Sequence, residues 1–146
     1  MLVLDSTVLI AALDSSRGSH QAVRDILSSE RPKAVTTQTM RETLAVATRP
    51  RSANGLGIDF TSAWKSISMM RMACDRLLYE NDKWWAAYAE LIQEIKPTGR
   101  TIYDLGLVAF VRSLGGNARL LTDDAGLVER YRNHIAAITV ATLTSI

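Results

Sequence analysis

Cysteine is almost absent from this sequence. Cys74 stands alone in 146 residues, so no internal disulfide can form, and a reducing cytoplasm is the natural home. With no partner, Cys74 reads as a small buried hydrophobe. Histidine is nearly as scarce. His20 and His134 show no partner spacing and read as surface residues, which argues against a zinc site. Charge of one sign is lacking too: 17 basic and 15 acidic residues leave +2, and the pI is about 8.9. That balance permits a nucleic-acid partner without demanding one. No charge-free run is long enough to span a bilayer, and Asp5 interrupts the N-terminus before the apolar region of a signal peptide could form. Repeats and low-complexity segments are missing as well. What is present suits one globular domain over residues 1–146. Hydrophobic residues are 47% and charged residues 22%, with enough chain to bury a sizeable core.

The first line organises the rest. Leu2-Val3-Leu4 is too short for a helix, is apolar throughout and ends abruptly at Asp5, so it reads as a buried strand with a carboxylate at its carboxyl end. A short helix over 8–13 follows, then a turn at 14–18 and a helix over 19–30 with Ala22, Val23, Ile26 and Leu27 on one face. Small and β-branched residues make 33–37 a second strand, followed by a helix over 39–48 that Pro50 stops. Residues 49–57 are the clearest loop. A long helix from Asp59 or Thr61 through Cys74 carries Trp64, Ile67 and Met70 or Arg71 at helical spacing. An extended piece at 76–79 leads to a helix from Asn81 or Asp82 to Ile95, with Trp85, Tyr88, Ala89 and Ile92 on one face. After a loop at 96–100 come a helix over 102–114 capped by Thr101, a strand over 118–122, a short helix over 124–131 and a last strand over 137–140. Strands alternating with helices predict a parallel sheet with right-handed crossovers.

In such a sheet, strand carboxyl ends and the helix starts that follow them share one edge, where ligands bind. Asp5, Glu42, Asp104 and the pair Asp123-Asp124 all fall at that edge. Each has a bland account as a helix cap. Asp5 and Asp124 suit helix N-termini, and both Thr39-Met40-Arg41-Glu42 and Thr101-Ile102-Tyr103-Asp104 fit the Thr-x-x-acid capping box. Together the acids would repel one another unless a hard cation neutralised them. All-oxygen ligation suits Mg²⁺ or Mn²⁺, and an ion so held can orient a phosphodiester and activate water for in-line attack.

Leu-Asp-Ser-Thr-Val-Leu-Ile at Asp5, Arg-Glu-Thr-Leu at Glu42, Ile-Tyr-Asp-Leu-Gly-Leu-Val-Ala at Asp104 and Leu-Leu-Thr-Asp-Asp-Ala-Gly-Leu at Asp124 resemble the PIN domain. Within that family they are most similar to VapC-type toxins of type II toxin–antitoxin systems. The loop from Ala47 to Gly57 also resembles one VapC subgroup. The resemblance covers essentially the whole chain and implies a three-layer Rossmann-like fold: a central parallel sheet of four to five strands flanked by helices. It implies a Mg²⁺-dependent endoribonuclease, with Mn²⁺ as a substitute ion. Asp5, Glu42, Asp104 and Asp124 match the family's acidic quartet. Asp5 and Asp104 would hold the metal, joined by Glu42 and by Asp123 or Asp124, of which the Thr-x-Asp spacing favours Asp124. Ser6 or Thr7 matches the small polar position, and Thr122 the hydroxyl of Thr-x-Asp. Leu127 departs from the family, which often has Phe there.

RNA also needs cations near the acids. Arg41, Arg49, Arg51 and Arg100 adjoin the expected edge and are candidates for phosphate contact, Arg41 and Arg100 foremost. Trp64, Met69, Met70, Met72, Trp84 and Trp85 read mostly as core. Trp84 and Trp85 are adjacent, however, so one faces outward. The resemblance implies a homodimer and a VapB-like antitoxin, and the helical pair at about 59–95 suits such contacts. Competing readings are a non-toxin PIN nuclease in RNA processing and a non-catalytic RNA- or protein-binding module. A phosphatase of the haloacid-dehalogenase type needs a second Asp two positions after the first, where Thr7 stands.

Overall fold

Three apolar residues with no polar partner have one stable place, the middle of a sheet covered on both faces. The computed structural model, which describes residues 1–145, puts β1 (Leu2–Leu4) there. β2 (Lys33–Thr36), β3 (Arg76–Leu78), β4 (Arg119–Thr122) and β5 (Ala137–Thr139) complete a five-stranded sheet in the order β3-β2-β1-β4-β5. Every pairing is parallel, with Val3 opposite Ala34 on one side and Leu120 on the other. The chain winds outward from β1 through β2 to β3, then returns to β4. The order therefore reverses between β1 and β4, and the crevice at their carboxyl ends is the switch point of the sheet.

The alternation of side chains along each strand divides the core in two. Leu2, Leu4 and Leu121 pack beneath α1 (Ser6–Leu13), α2 (His20–Ser28), α3 (Thr37–Thr48), α4 (Phe60–Met72) and α8 (Val140–Thr144). Val3 and Leu120 pack beneath α5 (Asp82–Ile95), α6 (Thr101–Leu114) and α7 (Ala125–Tyr131). Cys74 is buried in the first layer, where desolvation pushes its thiol up to about 11. Among the described residues no helix is long and apolar enough to cross a membrane.

The elements fall where the hydrophobic pattern puts them, with four corrections. α3 starts at Thr37 because Thr36 takes the cap position and exchanges bonds with Thr39. α6 starts at Thr101 itself, with Arg100 in helical backbone at the cap position and no side-chain cap. α8 was not foreseen; Thr139 caps it, accepting from the Thr142 amide.

The fourth correction concerns the helical pair. α4 buries only the stripe Ala63, Ile67 and Met70, leaving Trp64, Met69 and Met72 exposed rather than in the core. α5 buries Ala87 and Leu91, with Trp84, Tyr88 and Ile92 packed beside them, so the expected face holds at Tyr88 and Ile92, while Trp84 takes the inner place expected of Trp85, which is 61% exposed. Trp84 sets this phase. Its ring stacks on Tyr88 at 4.8 Å and lies 5.7 Å from Phe110, and its indole N–H donates to Gly106 O at 2.9 Å.

Candidate active site

Asp5 ends β1 at the switch point and caps α1, its Oδ1 accepting the Ser6 amide at 2.7 Å. Its Oδ2 accepts two hydroxyls, Thr7 Oγ1 at 2.9 Å and Thr122 Oγ1 at 2.7 Å. Each hydroxyl in turn accepts a backbone amide of the next turn: Asp123 N–H to Thr7 at 3.0 Å and Asp124 N–H to Thr122 at 3.1 Å. Two relays thus run from the turn after β4 to one carboxylate oxygen at the end of β1. Three donors converge on this 5% exposed carboxylate, so its buried oxygens do not go without partners.

The turn after β4 parts its two acids. Asp124 caps α7, accepting from the Gly126 and Leu127 amides. Asp123 is exposed and accepts from Ser19 Oγ at 2.6 Å. Of the pair, Asp124 is the one whose charge bears on Asp104.

Asp104 lies in the first turn of α6 but caps nothing, because Thr101 Oγ1 donates to Thr98 O instead of closing a box with it. Its carboxylate meets Arg130 of α7, with Nη1 3.1 Å from Oδ2. Burial holds the Asp104 carboxyl above its ordinary value. The Arg130 guanidinium opposes this, and the Asp5 and Asp124 carboxylates add to it. Glu42 caps nothing either: with α3 beginning at Thr37 it falls in the second turn. Gln38 ties it to α6, donating to Glu42 Oε1 at 3.0 Å and to Tyr103 O at 3.3 Å. The capping account therefore holds for Asp5 and Asp124 and fails for Glu42 and Asp104.

The structure draws Asp5, Thr7, Thr122, Asp124 and Asp104 into one electrostatic neighbourhood, with Glu42 one glutamine away. Ser6 contributes its amide; its hydroxyl lies 3.4 Å from Asp5 Oδ1. Arg100 is close enough to act on Asp104. Arg41 points to Glu80 at 4.0 Å and is 71% exposed. Arg49 and Arg51 stand past the far end of α3, a helix about 18 Å long, so they do not adjoin the edge of β2. Gln38 and Arg130 escaped sequence reasoning. Arg130 had no motif to betray it, being 26 residues from its partner.

Asp5, Asp104 and Asp124 are oxygen donors of the kind that hold Mg²⁺ or Mn²⁺. Among the described residues no three acids stand assembled as a cage for one ion. An oxygen of Asp104 is turned to Arg130 instead.

One consequence is testable in the metal-free protein. Because the folded chain binds the Asp104 proton more tightly than the unfolded chain, this acid favours folding below its ordinary value of 3.8 and loses that contribution as pH rises through the raised value. Asp104→Asn is therefore expected to melt above wild type near neutral pH, with the gap closing on acidification. Thermal melts of both proteins across that range check it. A variant melting lower at neutrality would mean that the Arg130 pair outweighs burial and like-charge crowding.

A parallel sheet with five strands, helices on both faces and carboxylates at the switch point is the Rossmann-like arrangement of the PIN fold. No family model matches the sequence and no curated protein matches it. Solved structures do. The chain is similar to one in VapBC2 from Rickettsia felis bound to a DNA fragment from their promoter (TM-score 0.69, 12% identity, 94% of this chain and 97% of that one). It is similar also to one in VapBC-1 from nontypeable Haemophilus influenzae (TM-score 0.67, 18% identity, 96% and 98%). A third likeness is to VapC20 of Mycobacterium tuberculosis, a sarcin-ricin loop cleaving toxin (TM-score 0.62, 14% identity, 89% and 95%). The fold of this chain is that of VapC-type toxins.

Proposed function

We infer that this chain is the toxin of a VapBC-type system, an endoribonuclease that hydrolyses RNA phosphodiester bonds with Mg²⁺ or Mn²⁺ and so blocks translation. One observation carries the inference: Asp104, not used in capping, is partly buried and lies near enough to Asp5 and Asp124 for their charges to add to the effect of burial in raising its carboxyl. Such an arrangement is unfavourable alone and is relieved by a divalent cation. The fold likeness to a sarcin-ricin loop cleaving toxin adds support.

Asp5, Asp104 and Asp124 would hold the ion, with Glu42 beside them. When bound, the ion supplies neutralisation of phosphate charge and activation of water. Thr7 and Thr122 keep the Asp5 carboxylate in one orientation, and Gln38 does the same for Glu42. Arg100, and Arg41 further out, meet the RNA backbone, which makes binding weaken with salt. The exposed Trp64, Met69, Met72 and Trp85 form the surface for a second copy of the chain and for a VapB-like antitoxin. The VapBC complexes among the structural likenesses support that partner.

Incubation of a structured RNA pool with purified protein is expected to give discrete cuts with Mg²⁺ or Mn²⁺ and none with EDTA. Cutting that persists in EDTA rules out the metal. Absence of cutting by folded, antitoxin-free protein on tRNA, rRNA and mRNA leaves Asp5 and Asp124 as helix caps and the chain as a binding module.

A further inference from the structure

Arg130 is a feature of the acidic edge that the nuclease reading leaves unused. It reaches from the last turn of α7 to the first turn of α6 and meets Asp104 through Nη1 alone at 3.1 Å. That is one prong, not the two-pronged fork of a locked guanidinium–carboxylate pair. The pair is open to water, the side chains being 53% and 33% exposed. In the same conformation its guanidinium carbon lies 5.9 Å from the centre of the neighbouring Tyr131 ring. The charges that face Asp104 are those of Arg130, Asp5, Asp124 and Arg100.

We propose that Arg130 is the resident counter-ion of the acidic edge: it neutralises Asp104 while no divalent cation is bound, yields that carboxylate when one binds, and thereby sets the concentration at which the site loads. The proposal rests on the reading of this edge as a cation-dependent nuclease site. Its physical basis is a difference in charge. An exposed pair with a monovalent guanidinium is weakly held. Asp104 is attracted twice as strongly to a divalent ion at equal distance, and the same ion repels Arg130. Once released, a planar guanidinium beside the site fits an RNA phosphate, for which its donor geometry is suited.

The test is calorimetric titration of Mn²⁺ into metal-free wild type, Arg130→Gln and Arg130→Lys, with no RNA present and folding checked by circular dichroism. Arg130→Gln is expected to bind Mn²⁺ about five- to tenfold more tightly, the size of removing one positive charge about 6 Å from a divalent ion in a water-like medium. Arg130→Lys keeps the charge and stays near wild type. Equal or weaker binding by folded Arg130→Gln overturns the proposal and leaves the nuclease reading standing. Failure of both wild type and Arg130→Gln to bind Mn²⁺ overturns the two together. An arginine that merely fastened α7 to α6 would lower the urea midpoint on replacement without tightening the metal.

Discussion

Asp5→Asn is expected to remove RNA cleavage and to weaken the fold as well. The carboxylate accepts three hydrogen bonds, from the Ser6 amide and from the Thr7 and Thr122 hydroxyls. An asparagine brings an NH₂ group into this ring of donors. Turned toward the threonines, the NH₂ faces two hydroxyls that already accept the Asp123 and Asp124 amides. Turned the other way, it faces the Ser6 amide. In either orientation a buried donor goes without an acceptor, a loss of about 1–3 kcal/mol. On the proposed reading of Asp5 as a metal ligand the functional loss is larger: replacing even an outer partner of a metal site costs about 10–100-fold, and removing a ligand would exceed that. Cleavage of a structured RNA pool and urea unfolding, run on the same preparations, measure the two effects. A folded variant that still cut within a few-fold of wild type would remove Asp5 from the chemistry.

Phe110→Ala is expected to have the largest effect on stability. Phe110 is 1% exposed in the middle of α6, against the Trp84 ring of α5 and among Leu105, Val108 and Leu120. Its truncation leaves a cavity between two helices already committed to the sheet, and phenylalanine-to-alanine changes at such sites cost about 3–5 kcal/mol. A domain of this size has about 5–15 kcal/mol in total, so the variant stands near its unfolding threshold. Urea unfolding followed by tryptophan fluorescence reports it as a lower midpoint at unchanged slope. A cost below about 1 kcal/mol would mean that α6 is not sealed between α5 and the sheet.

The fold was legible because its signals are local. Leu2-Val3-Leu4, Lys33-Ala34-Val35-Thr36 and Arg119-Leu120-Leu121-Thr122 carry the apolar stretches that a two-sided parallel sheet requires, and polar or glycine-rich breaks separate them from amphipathic runs. Alternation of such segments leaves little choice but a parallel α/β sheet. It also places Asp5 after β1 and Asp124 after β4 at the carboxyl edge of the sheet, before any contact is known.

Helix phase was not legible. α4 and α5 have apolar or aromatic residues on most sides, so periodicity admits more than one inner face, and docking chose Met70 over Met69 and Trp84 over Trp85. Helix starts were ambiguous for a related reason. Thr36 and Thr39 are both good caps, and the strand must end before the cap position is settled.

The sequence by itself determined the alternation of strands and helices and the place of Asp5 and Asp124 directly after strands, because those follow from local pattern and chain order. The tertiary structure alone decided which acids are spent on capping and which are not. It alone brought Thr122 to Asp5 across 117 residues and Arg130 to Asp104. The reason is that capping turns on a shift of one or two residues in a helix start, and an ion pair between two helices exists only once both are packed on the same sheet.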